Sequence, residues 1–242
     1  MPLRFFRKIL GLLLPTSCSY CNSSVGDSGI PFFCTECWSD FSVMTGPLCP
    51  HCGRPFDSPE ALQDSPNHRC LECRREPPVF DQALSAGHFE GPLREAIHQF
   101  KYRPCRSLGA PLGRWLADCI IPPNGIDLII PVPLHRSRLR QRGFNQSLLL
   151  AYALSSRFGI PLCYDNLVRT RPTKPQVELS GAERIRNVAG AFELSDRADV
   201  HGRSVLLVDD VFTTGATMNE CARVLREAEA AHVSVLTVAR AV

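Results

Sequence analysis

The chain has 242 residues, 44% of them apolar, which is enough to bury one full core and leave a second small module. A net charge of +3 is too small to argue for nucleic-acid binding from composition, and twelve cysteines that fall largely in close pairs do not suit a disulfide-stapled secreted fold. No stretch approaches the length of a transmembrane helix, so a cytoplasmic protein is expected.

Residues 1–17 place Arg4, Arg7 and Lys8 before the apolar run Ile9–Leu14. That run is only six residues long, and no small-x-small cleavage pattern follows it before Cys18. A short amphipathic segment lying on the protein or a partner is expected instead.

Between residues 18 and 76 long apolar runs are scarce, and eight of the twelve cysteines form four Cys-x-x-Cys pairs. Cys18/Cys21 and Cys34/Cys37 are separated by twelve residues, Cys49/Cys52 and Cys70/Cys73 by seventeen. Each set suits one tetrahedral Zn²⁺, so two structural zinc ions in a double ribbon are expected to supply the stability that a small core cannot. Pairing crossed between the ribbons stays open. His51 and His68 read as surface residues beside the knuckles, since the cysteines complete both sites. Lys and Arg are sparse here and offset by acids, which makes this module a weak nucleic-acid site on its own. Residues 74–82, with Pro77 and Pro78, look like a linker.

Alternating apolar residues over Ala83–Glu90 open an α/β domain spanning 83–242. Gly91 and Pro92 begin a helix in which Leu93, Ile97 and Phe100 share a face. Lys101 at its end reads either as a solvated cation favoured by the helix dipole or as a diphosphate ligand. Leu108–Ile121 is a second helix. Asp127–Val132 is a buried strand that runs into Pro131-Val132-Pro133-Leu134-His135, and a loop carrying Arg136, Arg138, Arg140 and Arg142 follows. These arginines are either a solvated patch or positive charge aimed at a leaving diphosphate. A helix then runs to about Phe158. Leu167–Phe192 is a basic, proline-marked flap with the composition of a lid, ending in a short helix from Ser180 with Glu183 placed for a capping box. Arg184 and Arg186 are lid anchors or solvated.

Val205–Val208 is a central strand, apolar on both parities as in a sheet covered on both faces. It leads into Asp209 and Asp210, then Thr213, Thr214, Gly215, Ala216 and Thr217, then a helical stretch from Met218 and a last strand, Val233–Ala239. The threonine-rich turn at a helix N-terminus offers N–H groups and hydroxyls to a phosphate monoester. The carboxylates can accept from two neighbouring sugar hydroxyls, which implies a ribose 5-phosphate. No lysine follows the glycine, unlike a nucleotide P-loop. Cys105, Cys119, Cys163 and Cys221 have no partner spacing and read as buried small apolar residues.

Val205–Thr217 resembles the phosphoribosyl diphosphate (PRPP) signature of the type I phosphoribosyltransferases. Three further stretches resemble the ComF family of competence-associated proteins: Gly91–Arg94 with Lys101-Tyr102; Pro131–His135 with Arg142–Gln146; and Lys174-Pro175-Gln176, Arg184-x-x-Asn187-Val188 and Gly190-Ala191-Phe192. Phe212 stands where leucine is more usual. The resemblance implies a type I phosphoribosyltransferase fold, a mostly parallel sheet with helices on both faces, preceded by the zinc-ribbon domain. It also implies PRPP with Mg²⁺ as ligand. Asp209 and Asp210 would hold the ribose 2′- and 3′-hydroxyls, Thr213–Thr217 the 5′-phosphate, and Lys101, His135, Arg136, Arg138 and Arg142 the diphosphate. The acceptor would be an unidentified nitrogen nucleophile. The alternative is a non-catalytic PRPP-sensing adaptor for DNA uptake, with single-stranded DNA or a helicase-like competence protein as partner.

Overall fold

The computed structural model describes residues 17–26, 28–58, 65, 67–102, 105–173, 181–196 and 198–241. Residues 1–16 of the amphipathic segment expected over 1–17, and residues 174–180 of the flap expected over 167–192, lie outside the described residues. In chain order the elements begin with α1 (Thr35–Ser39), α2 (Leu71–Arg75), β1 (Gln82–His88), α3 (Gly91–Tyr102), α4 (Gly109–Cys119) and β2 (Leu128–Pro131). They continue with α5 (Arg136–Arg142), α6 (Gln146–Phe158), β3 (Leu167–Arg169), α7 (Gly181–Val188), β4 (Phe192–Leu194), β5 (Ser204–Phe212), α8 (Ala216–Glu227) and β6 (His232–Arg240).

Four strands form one parallel sheet in the order β1-β6-β5-β2, with Leu128 opposite Val205 and Val205 opposite Val233. Val205 through Val208 are fully buried because both faces are covered. Leu206, Val208 and Leu236 pack under α3, α4 and α6 through Ile97, Leu112 and Leu154. Val205, Leu207 and Val235 pack on the other face against Cys221 and Leu225 of α8 and Phe192 of the antiparallel β3–β4 hairpin. Each such Leu or Val contributes about 1.5–3 kcal/mol by leaving water. No helix among the described residues is long and apolar enough to cross a membrane.

Two local expectations change. The central strand does not stop at Val208 but continues through both carboxylates to Phe212, because β6 keeps pairing alongside it, Val211 with Ala239 and Phe212 with Arg240. The arginine run is a helix and not a loop: His135 Nδ1 accepts from the Ser137 N–H at its start, and Gly143, at φ +79°, ends it.

The first half of the cysteine-rich region shares a core with the sheet. Phe33 and Phe41 enter the core beneath α3 and α4, and the Phe41 ring meets Trp115 edge-on at 5.3 Å. Residues 42–44 lie along β1: the Met44 N–H donates to the Ala86 carbonyl at 2.8 Å and the His88 N–H to Ser42 at 2.9 Å. Gly87 allows this crossing, since a Cβ there would stand 2.6 Å from the Ser42 carbonyl oxygen. The expected linker is pinned as well. Phe80 is buried, and Asp81 takes both oxygens to Arg226 Nη2 at 2.6 Å.

Candidate functional site

The carboxyl ends of β2 and β5 open onto one hollow, the place where parallel α/β sheets take ligands. Asp210 is buried, at 6% exposure, and pairs with Lys101 Nζ at 2.8 Å. Asp209, its neighbour in β5, accepts from Ser147 Oγ at 2.7 Å. Burial first, and then the charge of Asp210, pushes the Asp209 carboxyl up to about 6, against the opposing pull of Lys101 and Ser147. The two acids therefore differ in surroundings. Asp210 faces a cation, while Asp209 is held by a hydroxyl in a place that favours its protonated form.

The same lining is rich in cations. Lys101, Arg138, Arg142, Arg169 and Arg184 all line the hollow with the two acids. On α5, Arg138 and Arg142 are one turn apart and face it, whereas Arg136 and Arg140 are exposed on the other side. His135 caps the helix and, like Arg136, does not line the hollow. Arg142 lies over the Tyr102 ring at 5.5 Å and donates to Gln146 at 3.2 Å. Arg138 donates to the Thr173 carbonyl at 3.1 Å, and Arg169 donates to the Thr173 hydroxyl. Burial and then the charge of Arg138 lower the pKa of Arg169, whose Nε is buried without a hydrogen-bond partner among the described residues.

A second, smaller hollow lies over the threonine turn and is lined by Thr213, Gly215, Ala216 and Thr217; it shares Asp209, Val211, Thr213 and Thr217 with the first. Gly215, at φ +76°, starts α8 with no side-chain cap, and the Ala216 N–H reaches only Thr214 Oγ1 at 3.4 Å. That leaves the helix end suited to an anion. Thr214 is exposed and lines neither hollow.

Two residues here were not singled out in the sequence. Arg169 had a usable signal, since strand alternation puts it on the face of buried Leu167 while Val168 points out. Ser147 had only its place at the N-terminus of α6.

The eight paired cysteines form two clusters in the uncrossed arrangement, Cys18, Cys21, Cys34, Cys37 and Cys49, Cys52, Cys70, Cys73, with the sulfurs of each within 4.8 Å of one another. None of the eight is joined in a disulfide. Four sulfurs about 2.3 Å from one Zn²⁺ stand about 3.8 Å apart, and Cys21–Cys34 and Cys52–Cys70 are separated by 3.7 and 3.6 Å. Both clusters fit structural zinc. Burial raises the Cys49 thiol, but backbone N–H groups of Cys52, Cys70 and His51 outweigh it and bring it to about 7. His51 is not the surface residue expected. It is 9% exposed, with Nε2 donating to the Phe80 carbonyl at 2.6 Å.

Family models match a phosphoribosyl transferase domain over residues 145–241 and a double zinc ribbon domain over residues 9–74. Competence protein F of Haemophilus influenzae is 32% identical over 233 residues, covering 93% of this chain and 96% of that protein. The DNA utilization protein YhgH of Escherichia coli K12 is 34% identical over 237 residues, 95% of this chain and 99% of its own length. Competence protein ComFC of Bacillus subtilis is 28% identical over 219 residues, 86% and 83% respectively.

Proposed function

Because the chain belongs to the family of competence protein F, ComFC and the DNA utilization protein YhgH, we propose that it binds PRPP with Mg²⁺ and transfers the phosphoribosyl group to a nitrogen acceptor. The observation that supports this most is the position of Asp209, shared by the threonine-turn hollow and the cationic hollow. A ribose lying across that junction puts its 5′-phosphate on the turn and its diphosphate among the arginines. Its 2′- and 3′-hydroxyls then donate to Asp209 and Asp210.

The described residues group three or more metal-ligating side chains only at the two cysteine clusters. Two aspartates, one already paired with Lys101, fit an Mg²⁺ that arrives on the diphosphate and keeps its waters, not a resident ion. Bound there, Mg²⁺ supplies charge neutralisation to the leaving group. The acceptor nitrogen forms its bond to the anomeric carbon as the carbon–oxygen bond to diphosphate breaks, and the electron pair leaves with the diphosphate. Lys101, Arg138 and Arg142, which line that hollow, would take the departing negative charge.

The pure protein, incubated with PRPP, Mg²⁺ and a panel of bases and amines, should release diphosphate with at least one acceptor. Tight PRPP binding with no release across the panel would identify a PRPP-sensing adaptor of the DNA-uptake apparatus instead. Failure to bind PRPP would remove both readings.

A further inference from the structure

Arg240, at the end of β6, is 3% exposed. A buried guanidinium needs a negative or strongly accepting neighbour, and the neighbours here are not carboxylates. Nη1 donates to the Cys52 carbonyl at 2.6 Å, Nη2 lies 3.8 Å from the Cys52 sulfur, and the guanidinium stacks over the Phe212 ring at 4.5 Å. A cluster of four thiolates around one divalent ion carries a net charge of about −2. Arg240 thus faces that charge on one side and an aromatic face on the other.

Phe212 leads directly to the threonine turn. Its ring is buried, meets Phe80 edge-on at 6.0 Å, and lies so close beneath the turn that a Cβ on Gly215 would stand 2.6 Å from its Cζ. The ring therefore sets the height of the Gly215 backbone. The same cysteine cluster also grips Phe80, through the His51 hydrogen bond and an edge-on ring contact at 5.8 Å. Two side-chain contacts, from Arg240 and His51, converge on the aromatic pair that supports the turn. The first cluster provides an internal contrast, since it packs with α3 and α4 on the other face of the sheet.

We propose that Arg240 is a positioning residue for the threonine turn, and that through it the state of the Cys49–Cys73 cluster sets how tightly the turn takes a phosphate. The inference rests on the reading of the turn as a phosphate site. With the cluster loaded, Arg240 is held and Phe212 stays flat beneath Gly215. With the cluster's charge gone, the buried cation loses its counterpart and the ring loses its clamp. Because coupling between two sites is reciprocal, anion binding at the turn must also be felt at the cluster.

The experiment uses the full-length, metal-loaded protein with inorganic phosphate as probe, followed by calorimetry and by the Gly215 amide resonance. Arg240→Met should keep both metal ions yet bind phosphate about tenfold more weakly, with the Gly215 resonance displaced. Arg240→Lys, which keeps the charge, should recover most of the affinity. The wild-type chain loaded with ¹¹³Cd gives a test that needs no variant: phosphate should move the cadmium resonance of the second cluster and leave that of the first in place. Wild-type binding with unchanged Arg240→Met affinity and two unmoved cadmium signals would overturn the coupling alone. A wild-type protein that takes up no phosphate would overturn the reading of the turn, and the coupling with it.

Discussion

Asp209 and Asp210 are adjacent in one strand and meet different partners, Ser147 Oγ and Lys101 Nζ. Sugar hydroxyls donate best to an ionised carboxylate, so the Asp209 pKa of about 6 has a measurable consequence. Ribose 5-phosphate affinity should rise with pH through about 6, and Asp209→Asn should remove that component; the phosphate's own ionisation, also near about 6, remains in both profiles. Stability runs the other way. The folded pKa lies above the unfolded value of 3.8, so the protonated form's contribution is full below that value and is lost as pH rises through about 6. Asp209→Asn should therefore melt higher than wild type at neutral pH and show no gain in acid; an equal or lower melting temperature at neutral pH would contradict the assignment. The acid pair itself was legible in the sequence as residues following an apolar strand. Its asymmetry was not, because both partners come from distant segments of the chain.

At the level of single elements, α5 sorts four arginines by direction. An alternating charge pattern suggests a solvated loop, and Leu139 alone gives too little apolar periodicity to announce a helix. Once capped at His135 and ended at Gly143, the segment turns Arg138 and Arg142 to the hollow and Arg136 and Arg140 to water. Arg138→Ala or Arg142→Ala should weaken PRPP binding by about tenfold or more, the scale of one lost charged hydrogen bond. Arg136→Ala and Arg140→Ala should leave the dissociation constant unchanged in the same titration. Equal losses at all four positions would mean that only diffuse positive charge matters.

In the molecule as a whole, the apolar strands and the spacing of eight cysteines were enough to read the parallel sheet and the two four-cysteine clusters. The joining of the halves was not readable, since it depends on backbone pairings such as Val43 with Gly87 and on the reach of Arg240 to Cys52. Both tryptophans of the chain flank this junction, Trp38 and Trp115 on either side of Phe41. Stripping the metal should therefore change tryptophan fluorescence and the sheet's circular dichroism together, in one transition, as expected where metal binding is folding energy for a shared core. Two separated transitions would show independent halves. The sheet's margins have a further consequence. Residues 42–44 lie along β1, while on the far side Ile129 donates to Pro161 and Cys163 donates back to Ile129. Along both flanks of this sheet, amides and carbonyls are already taken up by segments of the same chain, so a foreign strand adding there would first have to displace one of them.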